Sequence, residues 1–116
     1  MEETDRIRLR HMIEAAQAVG GFIAARQRSD LDTDLMLLFA LVRALEIIGE
    51  AASKVSEATR ANLPQIPWRP IIGMRNRVVH AYFDVDRDIV WKAATDEVPA
   101  LLAMLSALPD EEGAQD

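Results

Sequence analysis

Eight consecutive residues, Arg75-Asn76-Arg77-Val78-Val79-His80-Ala81-Tyr82, hold most of the chemistry this chain can offer. His80 is the side chain in the segment that can give and take a proton near neutral pH. Arg75 and Arg77 carry forked donors that match phosphate oxygens and stay charged. On a helix Asn76 lies about 40° from His80 and can address the same site, whereas Arg75 lies about 140° away. A long side chain, a loosened helix end or a site shared across a dimer would be needed to join Arg75 to His80. Tyr82, seven residues after Arg75, falls nearly over it. Basic residues, a histidine and no neighbouring carboxylate suit cleavage of a phosphodiester without a metal. The histidine would take the proton of a ribose 2′-hydroxyl while arginine stabilises charge building on phosphorus. The plainer alternative has solvated arginines and a hydrogen-bonded histidine at a helix end.

The elements that must position this segment read as helices. Leu9, Met12, Ile13, Ala16, Val19 and Ile23 recur at spacings of three and four, which predicts an amphipathic helix from about Glu3 to Arg28. Ser29–Asp34 is a polar turn rich in capping residues. A second helix is expected from about Asp34 to Ala58, and its Leu35–Val42 stretch is apolar on every face. One small chain rarely buries such a helix all round, so a partner subunit is the economical explanation. Three prolines between Pro64 and Pro70 exclude a helix interior there. A third helix should start within Pro67–Pro70 and run to about Tyr82. Asp84-Val85-Asp86 offers a cap for a fourth, whose apolar stripe reaches Leu108 and which Pro99 should kink. No strand pattern and no repeat is visible. The fold class is all-α, an up-and-down bundle of four main helices spanning 1–108, with an acidic tail over 109–116 that is expected to be disordered.

Composition narrows the function classes. With 116 residues, half of them apolar and 28% charged, the chain makes one domain with a packed core. The absence of cysteine removes disulfides, thiol nucleophiles and thiolate metal sites. The longest uncharged stretches, Ala15–Ala25 and Val98–Pro109, fall short of the roughly 18 residues a spanning helix needs. With no signal-peptide pattern at the start either, a cytoplasmic location is expected. The net charge of −6 argues against nucleic acid only as an average. Between Arg60 and Phe83 there are four arginines and no acid, so the field near the motif is basic.

Arg75-Asn76-x3-His80-x-Tyr82 resembles the Arg-x4–6-His-x-Tyr signature of HepT-like proteins, the ribonuclease toxins of the HEPN superfamily. The flanks agree in order, from Arg8–Ala15 through Arg43–Ala52, Ile66–Arg69 and Ile71–Met74 to Val85–Trp91, with a departure at Pro70, where a non-proline is usual. The resemblance implies a homodimer whose two motifs face one cleft, which would answer the 140° problem. It also implies a metal-independent endoribonuclease leaving a 2′,3′-cyclic phosphate, with Arg75, His80 and Asn76 catalytic. The cell would neutralise such a toxin with an MNT-type nucleotidyltransferase antitoxin, as in a type VII-like toxin–antitoxin system, by AMPylation of the tyrosine matched by Tyr82. Arg77 and Arg69 are expected to bind the RNA. Arg43, Glu46 and Glu50, at spacings of three and four, form a polar strip that could tie the second helix to the motif. His11 and Glu14 do not make the paired motifs of a metal-binding bundle, so no metal and no cofactor is expected. Trp68 and Trp91 read as core anchors or dimer contacts. The rival reading is a non-catalytic module of the same superfamily that binds a nucleotide or docks a nucleotidyltransferase.

Overall fold

The computed structural model describes residues 1–81 and 84–109, giving the backbone alone for His80 and Ala81. Tyr82 and residues 110–116 of the expected tail lie outside it. The class is all-α, apart from one short strand pairing.

Helix α1 (Glu3–Ile23) turns Leu9, Met12, Ala16 and Val19 into the core, as its periodicity requires. It stops short of the expected end at Arg28. Ala24 leaves the helical backbone and Ala25 takes a left-handed φ of 59°, which turns the chain. A single helical turn, α2 (Asp30–Thr33), follows. Asp34 then caps α3 (Leu35–Ser53), its side chain accepting from the backbone N–H of Leu37 at 3.1 Å.

The apolar run at the start of α3 is only half covered. Leu37, Leu38 and Leu41 are buried, while Leu35, Met36 and Phe39 are 57%, 84% and 62% exposed. Nor does α3 continue to Ala58. It ends at Ser53, and Ser56 caps a separate short helix, α4 (Glu57–Asn62). The cause lies near the start of the chain. Asp5, 3% exposed, accepts from the backbone N–H of Ser56 at 3.0 Å and from its hydroxyl at 2.7 Å. It also accepts from the Thr59 hydroxyl at 2.6 Å. Hydroxyl residues that bond in this way draw the backbone out of a continuing helix.

After the proline-rich turn come α5 (Trp68–Ile72) and α6 (Met74–Val78), meeting at Gly73. Pro70 sits in the first turn of α5, where its missing N–H has no intrahelical partner to lose. The Trp68 indole donates to the Leu63 carbonyl at 3.0 Å and closes the turn. The motif helix therefore ends at Val78 and does not run to Tyr82. Strand β1 (Val79–Ala81) pairs antiparallel with β2 (Asp84–Val85), Val79 opposite Val85 and Ala81 opposite Asp84. The Asp86 N–H donates to the Val78 carbonyl at 2.8 Å. The reason is geometric. Asp86 caps the next helix through Ile89, so the chain must reverse before it, and β-branched Val78 and Val79 favour the extended form.

That next helix is one rod in three parts: α7 (Arg87–Lys92), a π-helical turn (Ala93–Glu97) and α8 (Val98–Ser106). The expected disturbance by Pro99 takes the form of this wide turn, in which the Val98 N–H reaches back to the Ala93 carbonyl. Proline offers no N–H and crowds the carbonyl four residues earlier, and the preceding turn widens to make room. Helix α1 packs on α3 and α8, and α3 also packs on α5 and α6. Among the described residues no helix is long and apolar enough to cross a membrane.

Asp5 supplies a stability test. Burial alone would raise its pKa, but the hydrogen bonds from Thr59 and from Ser56 outweigh this and hold the carboxyl below its ordinary value. Its contribution is complete above the unfolded pKa of about 4 and is lost as pH falls through the lower folded value. Asp5→Asn should cost about 1–3 kcal/mol at neutral pH and make the remaining stability less sensitive to acid. Denaturant titrations from neutral pH downward will check both; an Asn variant as stable and as acid-sensitive as the parent would rule out this role.

Candidate active site

The site is assembled where the α5–α6 corner crosses α3. A Cβ built on Gly49 would stand 3.0 Å from the Ile71 carbonyl oxygen and 3.4 Å from that of Ile72. Only the bare backbone of glycine allows the two segments to lie this close. The approach sets the first turn of α6 over the polar strip of α3. There the Nε–H of Arg75 donates to Oε2 of Glu46 at 3.0 Å. The second carboxylate oxygen, Oε1, lies 3.8 Å from Nη1 of Arg43. Among the described residues no partner engages the outer nitrogens of Arg75, whose side chain is 63% exposed. Arg43, Glu46, Glu50, Ser53, Arg75 and Asn76 line a cleft of about 350 Å³. Glu50 is held loosely, 3.9 Å from Lys54. A guanidinium fixed through Nε with a free outer edge, beside an exposed amide, can bind a phosphate in one orientation.

The cleft has an apolar neighbour. Arg43, Glu46 and Arg75 also line a second groove, of about 380 Å³, with Leu35, Phe39, Val42, Val79 and Val85. The polar cleft therefore runs directly into the exposed apolar face of α3.

Other residues are placed differently from the sequence reading. With α6 ended at Val78, His80 is in strand β1, so the helical angles between it, Asn76 and Arg75 do not apply. The side chain of His80 and all of Tyr82 lie outside the described residues. Arg69 is exposed on α5. Arg77 has a structural task. Its Nη1 and Nη2 donate to the two carboxylate oxygens of Glu97 at 3.2 and 2.7 Å, and Nη2 reaches the Pro70 carbonyl at 3.3 Å. The Glu97 hydrogen bonds raise the Arg77 pKa, and Arg77 in turn holds the Glu97 carboxyl below its ordinary value. The fork clamps α6 to the π-helical turn. Glu97 was invisible to spacing rules, because the wide turn that aims it has no pattern in the sequence. Gly49 did leave a signal, a glycine inside an apolar helix, which commonly marks close packing. The carboxylates that the Arg60–Phe83 segment lacks thus come from α3 and the π-helical turn.

The chain matches the family described as Ribonuclease HepT-like over residues 12–108. It is 35% identical over 101 residues to the Thermococcus cleftensis protein named "Probable ribonuclease HepT", covering 87% of this chain and 92% of that one. It is 33% identical over 90 residues to the Methanocaldococcus jannaschii protein named "Putative RNase MJ1380", covering 78% and 83%. A Caldanaerobacter subterraneus protein, "Putative RNase TTE0752", is 33% identical over 99 residues, covering 85% and 88%. No solved structure matches the chain. An exposed arginine held in a cleft, on a helical scaffold matched from Met12 to Leu108, agrees with that kinship: the chain belongs to the HepT-like ribonuclease family.

Proposed function

We propose that this protein is an endoribonuclease that cuts RNA by attack of a ribose 2′-hydroxyl on the adjacent phosphorus. The O2′–P bond forms, the P–O5′ bond breaks, and the products are a 2′,3′-cyclic phosphate and a 5′-hydroxyl. One proton leaves the 2′-hydroxyl and one reaches the departing 5′ oxygen, and His80 carries one of these transfers. Arg75 stabilises the charge on phosphorus. Asn76 orients the phosphate, and Arg69 helps hold the strand. The observation that carries this reading is the Arg75 guanidinium, tied down at Nε and, among the described residues, open at its outer edge, in a chain of a ribonuclease family. Because arginine supplies the positive charge, cleavage should persist in excess chelator. Arg75→Ala and His80→Ala should each lower the cleavage rate of a structured RNA by about 100-fold or more while the fold is kept. Loss of cleavage on chelation, or a His80→Ala protein with full activity, would overturn these roles.

The active form in this reading is a homodimer. Leu35 and Phe39 are exposed on the face that continues into the cleft, Met36 is exposed beside them, and a second copy seated there would bury them and bring two sites together. The wild type should scatter light as a dimer at micromolar concentration, whereas Phe39→Arg should run as a folded monomer with little activity. A monomeric wild type would remove this proposal.

The toxin is controlled, in this reading, by an MNT-type nucleotidyltransferase in the cytoplasm. The Tyr82 hydroxyl attacks the α-phosphorus of ATP, loses its proton, and pyrophosphate leaves. The added phosphodiester brings about one negative charge to the arginines that would otherwise meet RNA. Intact-mass measurement after co-expression should show whole AMP units on the wild type and none on Tyr82→Phe. An AMP adduct that survives in Tyr82→Phe would place the acceptor elsewhere.

A further inference from the structure

We propose that Glu46 is a positioning residue for cleavage, and that its charge keeps the cleft from holding RNA too tightly. The inference rests on the ribonuclease reading above and concerns the same site. Glu46 takes the Nε–H of Arg75 at 3.0 Å through one oxygen and faces Nη1 of Arg43 at 3.8 Å with the other. Its side chain is 25% exposed, against 63% for Arg75 and 66% for Arg43, so the carboxylate is the inner member of the three. An arginine is flexible when free. With Nε fixed by a charged acceptor, its plane is set and only the outer edge remains for a phosphate.

The same contact has an electrostatic effect of opposite sign. Two guanidinium groups and one carboxylate leave this triad with a single net positive charge. An incoming phosphodiester must share Arg75 with Glu46 and approach a carboxylate it repels. Glu46 therefore trades binding strength for geometry: the strand is held less firmly, but with the phosphorus in place. A residue needed only for folding would give no such split, because its loss lowers binding and turnover together.

The test separates charge from reach. Binding is measured by fluorescence anisotropy with an RNA oligonucleotide carrying 2′-deoxyribose at the cleaved position, which cannot react. Turnover is measured on the all-ribose strand at saturating protein. Glu46→Gln keeps an acceptor of the same size and loses the charge. It should bind the deoxy-substituted strand about three- to tenfold more tightly and cleave about 10- to 100-fold more slowly. Glu46→Asp keeps the charge and withdraws it by one methylene, so binding should stay at the wild-type level while cleavage is slow. On an Arg75→Lys background, which removes Nε, Glu46→Gln should lower the rate no further. A Gln variant that binds no tighter than wild type overturns the charge effect. One that cleaves at the wild-type rate, or that slows cleavage equally without Arg75, overturns the positioning. If the wild type binds the deoxy-substituted strand but leaves the all-ribose strand intact, the ribonuclease reading and the positioning role fall together, and the affinities of the Gln and Asp variants still decide the charge effect.

Discussion

The carbonyl oxygens of Ile71 and Ile72 press against α3 at Gly49, at a separation that a methyl group would not permit without a shift. Most of what makes the site depends on this contact. Glu46 lies three residues, just under one helical turn, before Gly49, and Arg75 lies three residues after Ile72. The two backbones thus set how far apart the Glu46 and Arg75 positions stand, and the rotamers of the two side chains then close the ion pair. The opposite side of α6 is fixed by the Arg77–Glu97 fork. A five-residue helix is too short to be stable by its own hydrogen bonds. It persists because one face is held by close backbone packing and the other by a forked ion pair.

Charge follows the same logic. The stretch from Arg60 to Phe83 carries no acid of its own, and the two arginines of α6 find carboxylates on different neighbours. Arg77 gives both outer nitrogens to Glu97, whereas Arg75 gives only Nε to Glu46. Two residues apart in sequence and of one type, they differ in what remains available to a ligand. One stabilises the fold and the other faces the cleft.

What was legible in the sequence had a period or a fixed offset. The stripe of α1, the cap at Asp34, the proline turn and the cap at Asp86 all follow from spacings of two to four residues. The polar strip of α3 could be written down in the same way, since Arg43, Glu46 and Glu50 share a face. What was not legible depended on partners distant in the chain. The break after Ser53 is set by Asp5, at the other end of a contact spanning some fifty residues. The end of α6 at Val78 is set by where Asp86 must start the next helix. A local reading extends both helices, because the local preferences of Ser56, Val78 and Val79 are too weak to end a helix without those distant partners. The side chains of Leu35, Met36 and Phe39 were legible as apolar, but not as the half of the helix that the described residues leave uncovered.

The π-helical turn at Ala93–Glu97 carries one residue more than an α-helix would need to cover the same rise. An extra residue rotates everything beyond it by about 100°. Upstream of the turn, α7 is registered to α2, α3 and α6; downstream, α8 is registered to α1. The turn therefore works as a phase adjuster between two halves of one rod. Two chains of this architecture can present the same buried faces at both ends and still differ in length by one residue at this point. An alignment that refuses a gap inside a helix would misplace every residue on one side of it.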